Sequence, residues 1–583
     1  MNIIVTGMGI ISAIGNSPEE VLDSLLKEKS GISKMRYLSS VHRNLPVGEV
    51  KLSDDQLKEA VGVDKERIVS RTALLGAYAI NQAVEDAGII ASDYDRIAII
   101  NGTTVGGMDL TERYFSDMKT DDSLLCVLDH HDCGSTSDEI AEICGIKAEV
   151  CTISTACSSA LNAVMIGAEM LKNNEADIVI AGGTEALSLF HLNGFHSLMI
   201  LDEEQCRPFD KTRAGINLGE GAAYLVLQRE TDHKGGAPKA FISGYANACD
   251  AFHQTASSDD GIGASMAMAG ALEMACLNAE NIQYINAHGT GTQNNDLSEG
   301  TAIKRVFGEN VPCVSSTKAF TGHTTSASGS IELVMCLLAM RHNFVPSNLG
   351  WNNHMDNGLT PSVGNVSCMI NNVMCNSFGF GGNDSSLILS KNAYGQGQTA
   401  APFESEQISE VEITEIEQLK DCKEVLSPME SRRMGKLMKA ATLTSLRALK
   451  AAGIDKPDAI ITATAYGMIE NTEKFLQDMV DNGETLLKPT LFMQSTHNTI
   501  GSNIAIRLGC HGYNVTYSQG KNSWEWALRD AERLIRTGKA KNVLVGCHDE
   551  STPLVCEFLK RAHKSIPHMV YSKSVVLKRK ERQ

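Results

Sequence analysis

One stretch of this sequence is written twice. Ile99-Ile100-Asn101-Gly102-Thr103-Thr104-Val105-Gly106 reappears as Ile460-Ile461-Thr462-Ala463-Thr464-Ala465-Tyr466-Gly467. The register holds downstream, with Thr111-Glu112 against Thr472-Glu473 and Asp117-Met118 against Asp478-Met479. Upstream, Ala87-Gly88-Ile89 matches Ala452-Gly453-Ile454. Further on, Val150-Cys151-Thr152-Ile153-Ser154 faces Asn514-Val515-Thr516-Tyr517-Ser518, and Leu225-Val226-Leu227-Gln228-Arg229 resembles Val575-Val576-Leu577-Lys578-Arg579. Matches in one fixed order mark a duplicated supersecondary unit. The second copy stops near the equivalent of residue 229. Such a chain must fold as a complete unit followed by a partial one: a domain over 1–392, a polar, aperiodic linker over 393–410, and a half-domain over 411–583.

Apolar, β-rich runs alternate with helical periodicity through the first domain. Ile97-Ala98-Ile99-Ile100 and Asp177-Ile178-Val179-Ile180-Ala181-Gly182-Gly183 read as buried strands, and Ala73 to Ala87 as a helix. The pattern predicts an α/β protein with covered sheets. With 43% apolar and 21% charged residues it reads as a globular chain, and no apolar run reaches the ~20 residues that span a bilayer. The first residues look like a buried strand rather than a signal peptide. Sixteen cysteines scattered through apolar stretches suit a reducing, cytoplasmic compartment. A net charge of −18 argues against nucleic-acid binding.

Chemistry concentrates at five places. Ser154-Thr155-Ala156-Cys157-Ser158-Ser159-Ala160 puts a thiol on a strand-to-helix turn, where a helix N-terminus favours thiolate. A lone cysteine in apolar company is usually core, but this one has company. His288 lies in the Gly-rich turn Asn286-Ala287-His288-Gly289-Thr290-Gly291-Thr292, and Lys318 follows Ser315-Ser316-Thr317. Gly322-His323-Thr324 precedes a run of small residues ending at Glu332, and Asn376-Ser377-Phe378-Gly379-Phe380-Gly381-Gly382 is a flexible loop carrying aromatics.

Together, and in this order, these motifs resemble the β-ketoacyl synthases of the thiolase fold, over almost all of 1–392. Val5-Thr6-Gly7-Met8-Gly9, Gly182-Gly183-Thr184-Glu185-Ala186 and Cys206-Arg207-Pro208-Phe209-Asp210-Lys211 belong to the same likeness. The resemblance implies a five-layered αβαβα fold, with a half-thiolase repeat behind it. It implies a decarboxylative condensation of an acyl group on Cys157 with malonyl-acyl-carrier protein. His288 and His323 as a pair imply the elongating type, since the initiating enzymes carry Asn at the second histidine. By the same resemblance Lys318 and Glu332 organise the site, Thr290 and Thr292 contact the phosphopantetheine arm, and Phe380 gates the acyl channel. The backbone N–H groups of Cys157 and Phe380 form the oxyanion hole. Val105 and Met108 fall beside the acyl pocket, and Lys65, Arg67, Arg71 and Arg207 near the channel mouth, where a carrier protein docks. No separate cofactor or metal is implied. Asn383-Asp384 and Ser326-Ala327-Ser328-Gly329 depart from the usual pattern, which puts housekeeping fatty-acid synthesis in doubt.

Asp129-His130-His131-Asp132-Cys133 looks like a metal cluster, but adjacent ligands on one turn rarely converge, so a structural role is expected. In the second copy the counterpart of Cys157 falls within Gln519-Gly520-Lys521-Asn522, where there is no cysteine. The copy resembles the chain-length factors that accompany aryl-polyene and flexirubin-type ketosynthases. It would act as a dimer partner supplied in cis, with Phe492-Met493-Gln494-Ser495-Thr496-His497 bringing Phe492 and Met493 to the acyl-pocket floor. Three readings stay open: a specialised ketosynthase with a built-in chain-length factor, a fatty-acid elongation enzyme with a structural tail, or a carrier-binding scaffold. A homo-oligomer remains an alternative to the cis pseudo-dimer.

Overall fold

The structure is a computed structural model and describes residues 1–356, 358–394 and 402–581. The strands of its main sheet fall into three sets. The first holds β1 (Ile3–Ser12), β2 (Ile97–Gly102), β3 (Glu149–Ile153), β4 (Ile178–Glu185) and β5 (Gly221–Arg229). The second holds β6 (Ala240–Cys249), β7 (Tyr284–Asn286), β8 (Cys313–Ser315), β9 (Asn372–Gly379) and β10 (Asn383–Ser390). The third holds β11 (Ser405–Ile413), β12 (Ala459–Ala463), β13 (Tyr513–Tyr517), β14 (Asn542–Glu550) and β15 (Val570–Arg579). The expected strands and the helix Arg71–Ala87 are all present.

In the first domain the helices Ser159–Lys172 and Ser328–His342 pack on each other, between the first strand set and the second. Helix Arg71–Ala87 covers the outer face of the first set, and helix Ile262–Ala275 that of the second. This is the αβαβα layering. A helix covered on every side must be apolar all round, and Ser328 to Met340 are buried without exception.

All three sets join in one 15-stranded sheet, in the order β8-β7-β9-β10-β6-β1-β5-β4-β2-β3-β13-β12-β14-β15-β11. The third set is the first in reverse, so the two copies face each other about a pseudo-twofold axis between β3 and β13. There Ile153 pairs with Tyr517, Ser154 N–H donates to Thr516 O (3.0 Å) and Ser518 N–H to Thr152 O (2.9 Å). Within the one chain the two copies pair as the halves of a pseudo-dimer.

The boundary moves, however. Residues 405–410, placed in the linker by their polarity, belong to β11, which pairs with β15 from Ser405 to Ile413. An edge strand facing solvent is polar on its outer side, and this one reads as loop for that reason. Residues 395–401 of the linker lie outside the described residues.

The half-copy also explains a divergence in sequence. Ser523–Arg536 is the counterpart of the almost wholly buried helix Ser159–Lys172, yet Glu525, Glu532 and Arg536 on it are exposed. No second sheet covers this helix among the described residues, so one face must be wettable. Its inner face seals the interface: Trp526 Nε1 donates to Val150 O (3.1 Å), and buried Arg533 pairs with Glu175 (2.8 Å) and Asp530 (3.0 Å).

Candidate active site

β3 ends in a single turn, Ala156–Ser158, before helix Ser159–Lys172. Ala156 is held at φ +54°, a left-handed conformation costly for a residue with a β-carbon. That turn presents Cys157 inward. The half-copy makes the same turn at Gly520 (φ +52°) and puts Lys521 where the thiol would stand.

Three segments far apart in sequence converge on Cys157. His323 Nε2 lies 3.2 Å from Cys157 Sγ. Thr325 N–H donates to His323 Nδ1 (3.2 Å), with Ser328 Oγ 3.0 Å away, so Nδ1 is an acceptor and the proton sits on Nε2. The His288 ring stands 5.3 Å from that of His323 at 81°. Its turn is fixed by buried Glu299, which accepts from the N–H groups of His288 (2.8 Å) and Gly289 (2.7 Å). Lys318 Nζ and Glu332 form a buried ion pair behind the histidines. Ser377 Oγ donates to Cys157 O (2.9 Å), and a β-carbon at Gly379 would come within 2.8 Å of Thr155 O, so the Phe380 loop fits only with glycine there.

Burial decides the charge states. It holds His288 and His323 well below the usual histidine range, with Lys318 adding to the effect, so both are neutral donors. The Cys157 thiol is pushed up to about 11 by burial, although Lys318 and the N–H groups of Phe380 and Cys157 pull the other way. The expected thiolate-favouring helix terminus is thus outweighed. The resting group is a thiol, because desolvating an anion costs more than one helix end returns. Glu332 is pushed up to about 7 and Glu299 likewise, both by burial.

Two cavities meet at Cys157 and Phe380. The outer one is lined by Met199, Ala214, His288, Thr290, Thr292 and Asn294 among others. The inner one runs past Val105, Met108, Phe190, His191 and Phe195, then crosses into the half-copy at Tyr466, Phe492, Thr496 and His497. Phe380 lines both. The rings of Phe190, Phe195, Phe380, Phe475 and Phe492 pack in a chain, with neighbouring centroids 5.1–5.9 Å apart.

Several expected positions change. Met493 does not line the inner cavity; its neighbour Phe492 does, because on the helix Pro489–Ser495 the two side chains point different ways. Arg71 is no surface residue: it is buried between Glu220 (2.7 Å) and Asp54 (2.7 Å), since a desolvated guanidinium demands carboxylates. Arg67 pairs with Glu142 (3.1 Å) and Arg207 with Glu204 (3.1 Å), while Lys65 is exposed. The Asp129–Cys133 side chains diverge: His130 turns to Glu139, His131 to Thr111, and Asp132 caps the helix Cys133–Ile143. Among the described residues the set whose ligand atoms come together is Cys157, His288 and His323 itself. Sequence reasoning missed Glu299 and the half-copy residue Asn498, whose Nδ2 donates to Phe380 O (2.8 Å); neither sits in a motif.

Residues 1–233 match the beta-ketoacyl synthase N-terminal domain and 239–352 its C-terminal domain, while 406–582 match a beta-ketoacyl synthase N-terminal domain again. The chain belongs to the β-ketoacyl synthase family. It is 31% identical to 3-oxoacyl-acyl-carrier-protein synthase 2 of Vibrio cholerae serotype O1, over 67% of this chain and 99% of the relative. It is 30% identical to nodulation protein E of Rhizobium meliloti strain 1021, over 66% and 98%. Among solved structures, the ishigamide ketosynthase/chain length factor is 30% identical, with a TM-score of 0.62, over 68% of this chain and 99% of that one. The PfaC keto synthase–chain length factor, at 17% identity, shares the fold over 99% of this chain (TM-score 0.77).

Proposed function

We propose that residues 1–392 catalyse condensation of an acyl group carried on Cys157 with malonyl-acyl-carrier protein, and that the half-copy sets the length of the acyl chain. Cys157 Sγ attacks the thioester of an acyl carrier, the carrier thiol leaves with the proton, and the acyl chain enters the inner cavity. A malonyl thioester then enters past Thr290 and Thr292. Its C–C bond to the carboxylate breaks, carbon dioxide leaves, and the electron pair becomes an enolate. The thioester oxygen takes that charge, stabilised by the neutral His288 and by His323 Nε2–H. The enolate carbon attacks the acyl carbon on Cys157, whose oxygen rests on the N–H groups of Cys157 and Phe380. Collapse of that intermediate expels the Cys157 thiolate, which regains a proton, and frees the 3-oxoacyl product. Lys318 helps keep the histidines neutral, and Glu332 holds Lys318 in place. No separate cofactor is needed, because the carrier's phosphopantetheine holds the substrates.

The observation that carries this reading is the 3.2 Å contact of His323 Nε2 with Cys157 Sγ, at the junction of the two cavities. The half-copy's share in the inner cavity favours a chain-length role over a structural tail, and its aromatic lining suits a polyene or polyketide-like chain. The test is turnover with acyl- and malonyl-carrier proteins, with product length read by mass spectrometry. Turnover by Cys157→Ala at the native rate would sink the assignment.

A further inference from the structure

The half-copy grips the gate of the active site as well as the far end of the acyl cavity. Phe380 lines both cavities, and its N–H is directed at Cys157 Sγ. Its carbonyl, on the other side of the residue, accepts from Asn498 Nδ2 at 2.8 Å. Asn498 is buried, immediately before the half-copy helix Thr499–Leu508. One turn on, buried Ser502 Oγ has no hydrogen-bond partner among the described residues and presses on the next loop residue: a β-carbon at Gly381 would lie 2.1 Å from it. Gly381 (φ +85°) and Gly382 (φ +73°) hold the loop in a left-handed backbone that favours glycine. The same helix holds the neighbouring strand-end segment, where Gln254 O accepts from Gly381 N–H (2.7 Å) and Gln254 Nε2 donates to Asn503 Oδ1 (2.8 Å).

We infer that Asn498 is a positioning residue for the acyl-loading step, acting through the Phe380 carbonyl. It fixes the peptide that follows Phe380, so the ring stays between the cavities and the N–H stays on the oxyanion site. The half-copy thereby governs entry of the acyl chain as well as its length. This rests on the assignment of Cys157 as the acyl carrier, made above.

A displaced loop costs the loading step its oxyanion donor and the set position of the ring at the cavity junction, whereas a general loss of stability would lower every activity together. The full-length protein would therefore be given acyl-carrier protein, and Cys157 acylation followed by mass spectrometry in a single turnover. Asn498→Asp keeps the side chain's shape but sets an acceptor against the carbonyl. It is expected to slow loading about ten-fold, the order of one lost buried hydrogen bond, while the product length stays native. Gly381→Ala should slow loading too, and Ser502→Gly added to it should recover part of the loss, because it removes the atoms the new methyl strikes. Native loading by Asn498→Asp, or no recovery in the double variant, overturns the inference. Failure of Cys157 to acylate in the native protein overturns instead the assignment beneath it.

Discussion

The ring of Phe492 lies so close to Gly194 that a β-carbon there would come within 2.2 Å of it. A side chain of the half-copy is thus pressed against the backbone of the first domain, inside the wall of the inner cavity. Phe492→Ala should lengthen the cavity and shift products to longer chains. Gly194→Ala should drive the ring into the cavity and shorten them. Mass spectrometry of the released acyl chains reads both. An identical product distribution in all three proteins would remove Phe492 from the chain-length role.

The two histidines should separate the half-reactions. The charge they stabilise appears only once carbon dioxide leaves. His288→Ala and His323→Ala should therefore still acquire the acyl group while decarboxylation falls by ~10²-fold or more. Equal loss of both steps, measured as Cys157 acylation and carbon dioxide release, would count against the assignment.

Ionisation makes a pH prediction of definite sign. Burial depresses both histidines, so they are already neutral above their lowered values, and acidification to ~pH 6 should leave them neutral. Burial raises Cys157 to about 11, so its thiolate fraction grows with pH throughout the range below that. Alkylation of Cys157 by iodoacetamide should climb steadily to ~pH 10, past the ~8.5 of an ordinary thiol. A plateau near neutrality would show a thiolate at rest.

Arg71 makes a stability prediction where its charge alone suggested a binding one. It is buried between Glu220 and Asp54, and Glu220 Oε2 also accepts from Leu187 N–H at 3.1 Å. Arg71→Ala should strand a buried carboxylate and cost about 3 kcal/mol in urea unfolding. A variant of native stability but weakened carrier binding would restore the surface role.

The interface depends on Arg533, buried and paired with Glu175 across the two copies. Glu175→Gln leaves the guanidinium with Asp530 as its remaining carboxylate partner and should lower stability by about 2–3 kcal/mol, measured by urea unfolding. Native stability would mean Asp530 alone suffices.

Much of this protein is local, and so was legible. Buried strands such as Ile97–Gly102 announce themselves by continuous apolar residues, and the duplicated unit by its repeated order. The turn at Cys157 and the glycines of the Phe380 loop follow from backbone demands that only certain residues meet. The β11 strand was misread because an edge strand and a linker share the same polarity.

Arg67 and Arg71 illustrate the limit. Their charge is identical and they lie four residues apart, yet one reaches solvent and the other is enclosed by Glu220, a residue far away in sequence. Phe492 and Met493 are both apolar, and only the orientation of a short helix decides which enters the cavity. The sequence by itself determined the duplicated α/β unit, the nucleophile's turn and the kinds of side chain available to the site. Tertiary structure alone decided that His288 and His323 converge on Cys157, that Arg71 is buried, and that Asn498 bonds the Phe380 carbonyl. Periodicity and turn chemistry act between neighbours along the chain. Convergence depends on how whole layers pack, and no single segment records that.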